Sequence, residues 1–331
     1  MDFEMVKRLV QDNYRITVSK ISKKKNVYKV TAGFREYCLK VIKYEFDHFN
    51  FIVSAIKHLE KSGFKNTPKI IRNKNHKDYI KFDDCYAYLT EWMDVKEVSY
   101  ENDDELLKTA KKVKELHSFS KGFVLNESMK PRVGWGTWDT VFETRISEIL
   151  DFKKRIGQKA QKSKFDELYL SVIDEEVKKG EEAILKIRES NYIDYMNKEV
   201  MNLSFCHHDL AHHNILIGND EEVNIIDFDY CILDSHLHDL ASLCMRAMRN
   251  GNWEIEKYEL ITDAYGEVTK EEEKIMLGFL KFPQDFWQVG LQYYWEQLSW
   301  SEERFLGRLT NYISDRENRN DFLIALEERS K

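Results

Sequence analysis

Positions 205 to 229 read FCHHDLAHHNILIGNDEEVNIIDFD, and inside that run two short apolar stretches, NILI at 214–217 and VNIID at 223–227, are joined by GNDEE. Glycine, asparagine and acidic residues between two β-prone runs predict a hairpin. A hairpin fixes what lies at its two ends, here Asp209 and Asn214 at the entry and Asp227 at the exit. Two carboxylates and an amide oxygen that are separated along the chain are thereby gathered. Hard oxygen donors of this kind suit Mg²⁺, which takes carboxylates, amide oxygens, waters and phosphate oxygens in octahedral geometry. The chemistry implied is phosphoryl transfer, in which metal neutralises the phosphates and an aspartate orients or deprotonates the attacking hydroxyl.

The hairpin is an exception in its surroundings. Glycine (13) and proline (3) are scarce among the 331 residues and long helix-forming stretches abound, so an α+β chain is expected, mostly helical with a limited sheet. The sheet belongs near the start, where ITVSKI, VYKVTA and EYCLKVIK are β-prone and Gly33 can turn the chain between the last two. Phe46, Phe49, Ile52, Val53, Ile56 and Leu59 then recur at helical spacing with Gly63 as a stop, and KIIRN, DYIKFD and CYAYLTEW read as further strands. An antiparallel sheet carrying one helix is thus expected over about the first 90 residues. After TEWMDV the spacing turns helical, from Leu106 to His117 and again from Trp138 to Ile156.

Several function classes are disfavoured. The formal charge is −7 with both signs interspersed, unlike the dense basic face of a nucleic-acid reader. No apolar run approaches membrane-spanning length and the start carries acidic residues, so neither a membrane span nor a secretory signal is expected. Five widely spaced cysteines without a C-x-x-C pair read as buried thiols in a reducing, cytoplasmic setting. His208 and His212 stand four apart, a zinc spacing that requires a helix where the sequence predicts a loop. For His207 the economical role is structural, its ring fixing the backbone of the aspartate that follows.

His207-x-Asp209-x4-Asn214, followed by Ile226-Asp227-Phe228-Asp229, resembles the catalytic and metal-binding motifs of the aminoglycoside phosphotransferase and choline kinase-like branch of the protein kinase-like fold. The resemblance implies a bilobal protein: a small antiparallel sheet lobe over residues 1–92 that binds nucleotide, and a larger helical lobe over 93–331 with the catalytic loop and acceptor site. It implies ATP and Mg²⁺ as cofactors, Asp209 as the catalytic aspartate, Asn214 and Asp227 as metal ligands, and Lys40 in EYCLKVIK as the lysine on the α and β phosphates. YLTEWMDV resembles the hinge, where backbone groups of Thr90, Glu91 and Trp92 meet adenine. His117 and the Asp239-Leu240-Ala241 run resemble supporting elements of the same fold. Over most of the chain, DLAHHNILI, DFDYCILD, WGTW at 135–138 and FPQDFWQVGLQYYWEQ are similar to the spore-coat protein CotS family, which implies a place in the spore coat and other coat proteins as partners.

Two departures from that pattern stand out. No glycine occurs between Tyr14 and Gly33, where the phosphate-covering loop belongs, although lysines there can partly compensate. The helix glutamate that pairs with the strand lysine has no clear counterpart, since Glu45 comes early and Glu60 late. The segment from Asp227 to Asp239 is too short for a peptide-docking activation segment, which points to a small hydroxyl-bearing acceptor. Trp287, Tyr293, Tyr294, Trp295 and Trp300, beside Glu296, Glu302 and Glu303, could cage a cationic acceptor, but rings at helical spacing usually pack a core. Two functions stay open: an ATP- and Mg²⁺-dependent small-molecule phosphotransferase, and a catalytically weak or inactive kinase-like coat component.

Overall fold

The computed structural model describes residues 2–331. A helix α1 (Phe3–Asn13) is followed by strands β1 (Lys20–Lys24), β2 (Val27–Ala32) and β3 (Arg35–Ile42), helix α2 (Phe46–Ser62), and strands β4 (Ile70–Ile71), β5 (Ile80–Phe82), β6 (Cys85–Glu91) and β7 (Lys96–Glu97). Helices α3 (Asp103–Ser120), α4 (Trp138–Gly157), α5 (Lys164–Glu189) and α6 (Tyr192–Val200) precede the hairpin of β8 (Ile215–Ile217) and β9 (Val223–Ile225). The chain ends in α7 (His236–Met248), α8 (Ile255–Tyr265), α9 (Lys270–Lys281), α10 (Gln284–Tyr294), α11 (Glu302–Ser314) and α12 (Arg316–Arg329). This is the expected α+β composition, an antiparallel sheet region followed by a mostly helical part. No described helix is long and apolar enough to cross a membrane.

Two compact units make up the chain. One comprises the chain up to Ser99 with Lys112–Val133 and Asn202–Leu233; the other comprises Tyr100–Lys111, Gly134–Met201 and Asp234–Lys331.

In the first unit the antiparallel sheet runs β1-β2-β3-β6-β4, with β5 also paired to β6. Strand alternation sorts its residues onto two faces. Tyr37 and Leu39 of β3 and Ala87 and Leu89 of β6 enter one core with Val6, Val10 and Tyr14, whereas Cys38 and Lys40, with Tyr88 and Thr90, line a pocket. Gly33 turns the chain between β2 and β3 at φ +61°, and Gly63 ends α2 at φ +102°, both in the left-handed region that glycine enters without a Cβ penalty.

Two expectations need correction here. The sheet region carries two helices rather than one: α1 is capped by the Asp2 side chain, which accepts from the Met5 amide, and is anchored mainly by Val6 and Val10. The first strand begins at Lys20, so Ile16, Thr17 and Val18 of ITVSKI precede the ladder.

In the second unit, α4, α5, α10 and α11 enclose a core of Phe152, Phe165, Tyr169, Phe286, Tyr294 and Phe305, among others. The WGTW stretch and the last residue of DFDYCILD meet there. Trp138 Nε1 donates to Asp234 Oδ2 at 2.9 Å, and a Cβ on Gly134 would lie 2.4 Å from that same oxygen. These residues therefore build structure.

A second polar knot lies beside α7. The His236 ring sits 3.1 Å from a Glu199 oxygen and 3.5 Å from a Glu272 oxygen, against the Tyr265 ring. Burial pulls its pKa down, but the two carboxylates outweigh burial and raise it above the ordinary histidine value. Burial likewise opposes ionisation of Glu272, yet hydrogen bonds from His236, the Thr269 amide and Tyr195 hold it at about 2. A raised histidine pKa contributes stability that is complete below its unfolded value, about 6.5, and is lost as pH rises through the folded value. Urea denaturation of His236→Asn is therefore expected to show its largest deficit against wild type near pH 6 and a shrinking one at alkaline pH. A deficit independent of pH would contradict the charged pairing.

Candidate functional site

The strand that carries Lys40 also decides its surroundings. Lys40 faces Val27 of β2 on one side and Tyr88 of β6 on the other, and only 4% of its surface is exposed. A buried ammonium is sustained by paired charge. Its partners are Asp227, in direct hydrogen-bonded contact, and Asp229 at 2.8 Å. Burial lowers the lysine pKa, but the attraction of Asp229 and Asp227 more than reverses this, so Lys40 stays cationic. For Asp227, burial raises the pKa, yet the charge of Lys40 and its hydrogen bond win and the net shift is downward. Asp229 ends above the ordinary aspartate value, with burial and the charge of Asp227 outweighing Lys40.

The missing helix glutamate is thereby explained. Glu60 is taken by Lys57 at 2.9 Å, and the α2 residue that reaches the pocket is Ile56. The lysine's counter-charges come instead from the I-D-F-D run. Asp229 was not singled out from the sequence. The signal was its position two residues after Asp227.

The hairpin forms as expected, Ile215 facing Ile225 and Ile217 facing Val223, and β7 adds a third strand. It holds the loop before it by backbone bonds: the Ile226 amide donates to Asn214 O at 2.9 Å. His207, wholly buried, ties the same parts together. Its Nδ1 accepts from the Asp209 amide at 3.3 Å, so the ring proton resides on Nε2, which donates to Ile226 O at 2.8 Å. The ring does fix the backbone of Asp209. Asn214 Nδ2 donates to Asp209 O at 3.0 Å and to Asp209 Oδ2 at 2.9 Å. With its amide nitrogen turned to Asp209, the residue has its side-chain oxygen to offer elsewhere.

Asp227 itself has φ +67° and ψ +67°, a left-handed conformation uncommon for a residue with a Cβ. Such strained positions persist only where the surroundings over-determine them. Here the Ile226 bonds on one side and Lys40 on the other do so. His208 is also left-handed, φ +69°, and only residues 212–214 form a short 3₁₀ turn, so the His208–His212 spacing does not fall on an α-helix.

Lys40, Asn214 and Asp227 border one cavity of about 540 Å³, with Thr90, Glu91, Trp92 and Met93 along one side and Lys24, Lys25, Asn26 and Val27 from the β1–β2 turn along another. Asp209 joins them through Asn214. At the proposed hinge the Trp92 amide is spent on Glu36 O at 2.9 Å. Met93, one residue further on, lines the cavity with no such backbone bond. Burial pushes the Cys38 thiol in the same cavity up to about 11, which keeps it protonated and unreactive at neutral pH.

Most of the aromatic set near the C-terminus packs against the core. Tyr293 stacks on Phe165 at 4.1 Å and Trp287 donates to Glu148. Cations already cover two of the rings: Arg145 lies 4.3 Å from the Trp287 centroid and Arg304 lies 3.9 Å from that of Trp300. Trp287 and Trp300 thus already face arginines of this chain, and Tyr293 and Tyr294 pack in the core.

The architecture is that of the kinase-like phosphotransferase fold. It superposes on an aminoglycoside phosphotransferase from Alicyclobacillus acidocaldarius subsp. acidocaldarius DSM 446 with a TM-score of 0.83 at 22% identity, over 98% of this chain and 96% of that one. Spectinomycin phosphotransferase APH(9)-Ia, solved with ADP and spectinomycin, follows with a TM-score of 0.66 at 16% identity, over 99% of both chains. Residues 7–326 match the family described as "Spore coat putative kinase YutH", and the chain belongs to that family. It is also 25% identical over 316 residues to spore coat protein S of Bacillus subtilis (strain 168), covering 93% of this chain and 88% of that protein.

Proposed function

We propose that the protein is an ATP- and Mg²⁺-dependent phosphotransferase acting on a hydroxyl group of a small molecule, associated with the spore coat. The observation that carries this reading is the buried Lys40 held by Asp227 and Asp229 in the cavity that Asn214 also borders. The donor set suits the metal: an aspartate carboxylate kept ionised, a second carboxylate beside it, and an amide oxygen are hard ligands of the kind Mg²⁺ takes. Asn214 and Asp227 hold it, with Asp229 adjacent; when bound, the metal neutralises phosphate charge.

The chain's own groups do the rest. In this reading residues 1–92 hold the nucleotide and 93–331 supply the loop and the acceptor site. Lys40 positions the α and β phosphates, and backbone groups of Thr90–Met93 meet the base, with the Met93 amide taking the donor role that Trp92 cannot. Asp209, anchored through His207 and Asn214, orients the acceptor hydroxyl and takes its proton. Preorganised charge and positioning supply most of the rate. Beyond Asp227 the chain makes one 3₁₀ turn at Phe228–Tyr230, pairs Ile232 with Cys206 and enters α7 at His236, which favours a small acceptor over a peptide.

A second reading keeps the fold as an assembly platform in the coat, favoured by the likeness to spore coat protein S and by the glycine-free turn. Incubation with γ-labelled ATP and Mg²⁺ across a panel of hydroxylated amines and polyols separates the two. The phosphotransferase reading expects labelled product that vanishes on adding EDTA. A protein that binds Mg·ATP and labels nothing, water included, belongs to the assembly reading.

A further inference from the structure

The β1–β2 turn is short: Lys24 pairs with Val27, leaving Lys25 and Asn26 to reverse the chain. Lys25 stands at φ +51°, a conformation in which glycine is usual. Without glycine, backbone amides of this turn approach phosphate less freely, but the turn projects an ammonium on a flexible stem. Both Lys24 and Lys25 border the cavity. Val27, two residues beyond Lys25 at the start of β2, is the cross-strand partner of Lys40.

Lys25 is nevertheless occupied. Its ammonium lies 3.3 Å from Glu97 Oε1, and the other oxygen of Glu97 lies 3.5 Å from His212 Nε2. Glu97 borders the cavity as well. The lysine and glutamate side chains are 70% and 47% exposed. Ion pairs so exposed are weak and cheaply exchanged.

We propose that Lys25 is a phosphate ligand held by Glu97 until nucleotide arrives, so that Glu97 competes with the terminal phosphates for the same ammonium. The lysine replaces the backbone donors of a glycine-rich loop, and the pair is an internal brake on nucleotide affinity. This rests on the nucleotide-site reading above.

Titration calorimetry with ATP and with adenosine, both with Mg²⁺, on wild type, Lys25→Met, Glu97→Gln and the double variant tests it. Lys25→Met is expected to weaken ATP about tenfold and leave adenosine within about twofold. Glu97→Gln is expected to tighten ATP about threefold, and to do nothing to ATP once Lys25 is absent. That non-additivity is the signature of direct competition. Equal ATP affinity in wild type and Lys25→Met, with adenosine bound, overturns this proposal alone. A Glu97→Gln gain that survives in the Lys25→Met background also overturns it, since the carboxylate then acts by general repulsion. Wild type binding neither ligand overturns the nucleotide-site reading and this proposal together.

Discussion

Asp209→Asn is expected to lower phosphate transfer by about 10²- to 10⁴-fold, the span a positioned acid or base contributes, while leaving Mg·ATP binding close to wild type. The separation follows from how the residue is held. Its backbone is fixed by the His207 ring and by the Asn214 side chain, and an asparagine at 209 can still accept the Asn214 bond that the carboxylate Oδ2 accepts. What is lost is the capacity to take a proton. Single-turnover transfer measured beside equilibrium binding checks this. An Asp209→Asn variant that transfers at the wild-type rate removes Asp209 from the role assigned to it.

Lys40→Met is expected to cost about 3–5 kcal/mol of stability, as removal of one member of a buried charged group does. It leaves Asp227 and Asp229 side by side without their shared cation. The pH dependence has a definite sign. In wild type the pKa of Asp227 is depressed, so its stabilising contribution is present above the unfolded value, about 3.9, and is lost as pH falls through the folded one. In the variant, like-charge repulsion raises the carboxylate pKa values, and acidification relieves the repulsion. The gap between the two proteins in urea denaturation should therefore be widest near neutrality and narrow toward pH 4. A variant as stable as wild type at pH 7 would show that the ion cluster is not formed.

Those two residues illustrate what a sequence displays and what it conceals. That one hairpin gathers Asp209, Asn214 and Asp227 was legible because the hairpin is local: the two runs and the turn between them lie within a few residues and carry their own strand periodicity. Gly63 as the end of α2, and Trp138 as the start of α4, were legible for the same reason. Lys40 was found through its order among motifs, since no spacing rule links it to a partner 187 residues away. That its counter-charges are both from the I-D-F-D run, with Asp229 as the second, is a tertiary fact.

The same limit explains the misses. The helix α1 is short, and it is its packing on the sheet core through Val6 and Val10, with Leu9 beside them, that sets it apart from a solvated polar segment. β7 is two exposed charged residues whose strand character comes from pairing with Ile217 and Leu216. The C-terminal rings have the composition of a cage, but what each one touches is a tertiary fact: arginines at 145 and 304 lie over Trp287 and Trp300.

Lys40, Asn214, Asp227 and the loop of Asp209 are proposed to hold a magnesium nucleotide. Thermal unfolding of the full chain titrated with ATP, in Mg²⁺ and in EDTA, tests it most directly. At about 100 times its dissociation constant the nucleotide should add about 2.7 kcal/mol of stability, and most of that gain should disappear in EDTA. A melting temperature indifferent to ATP under both conditions would contradict the account.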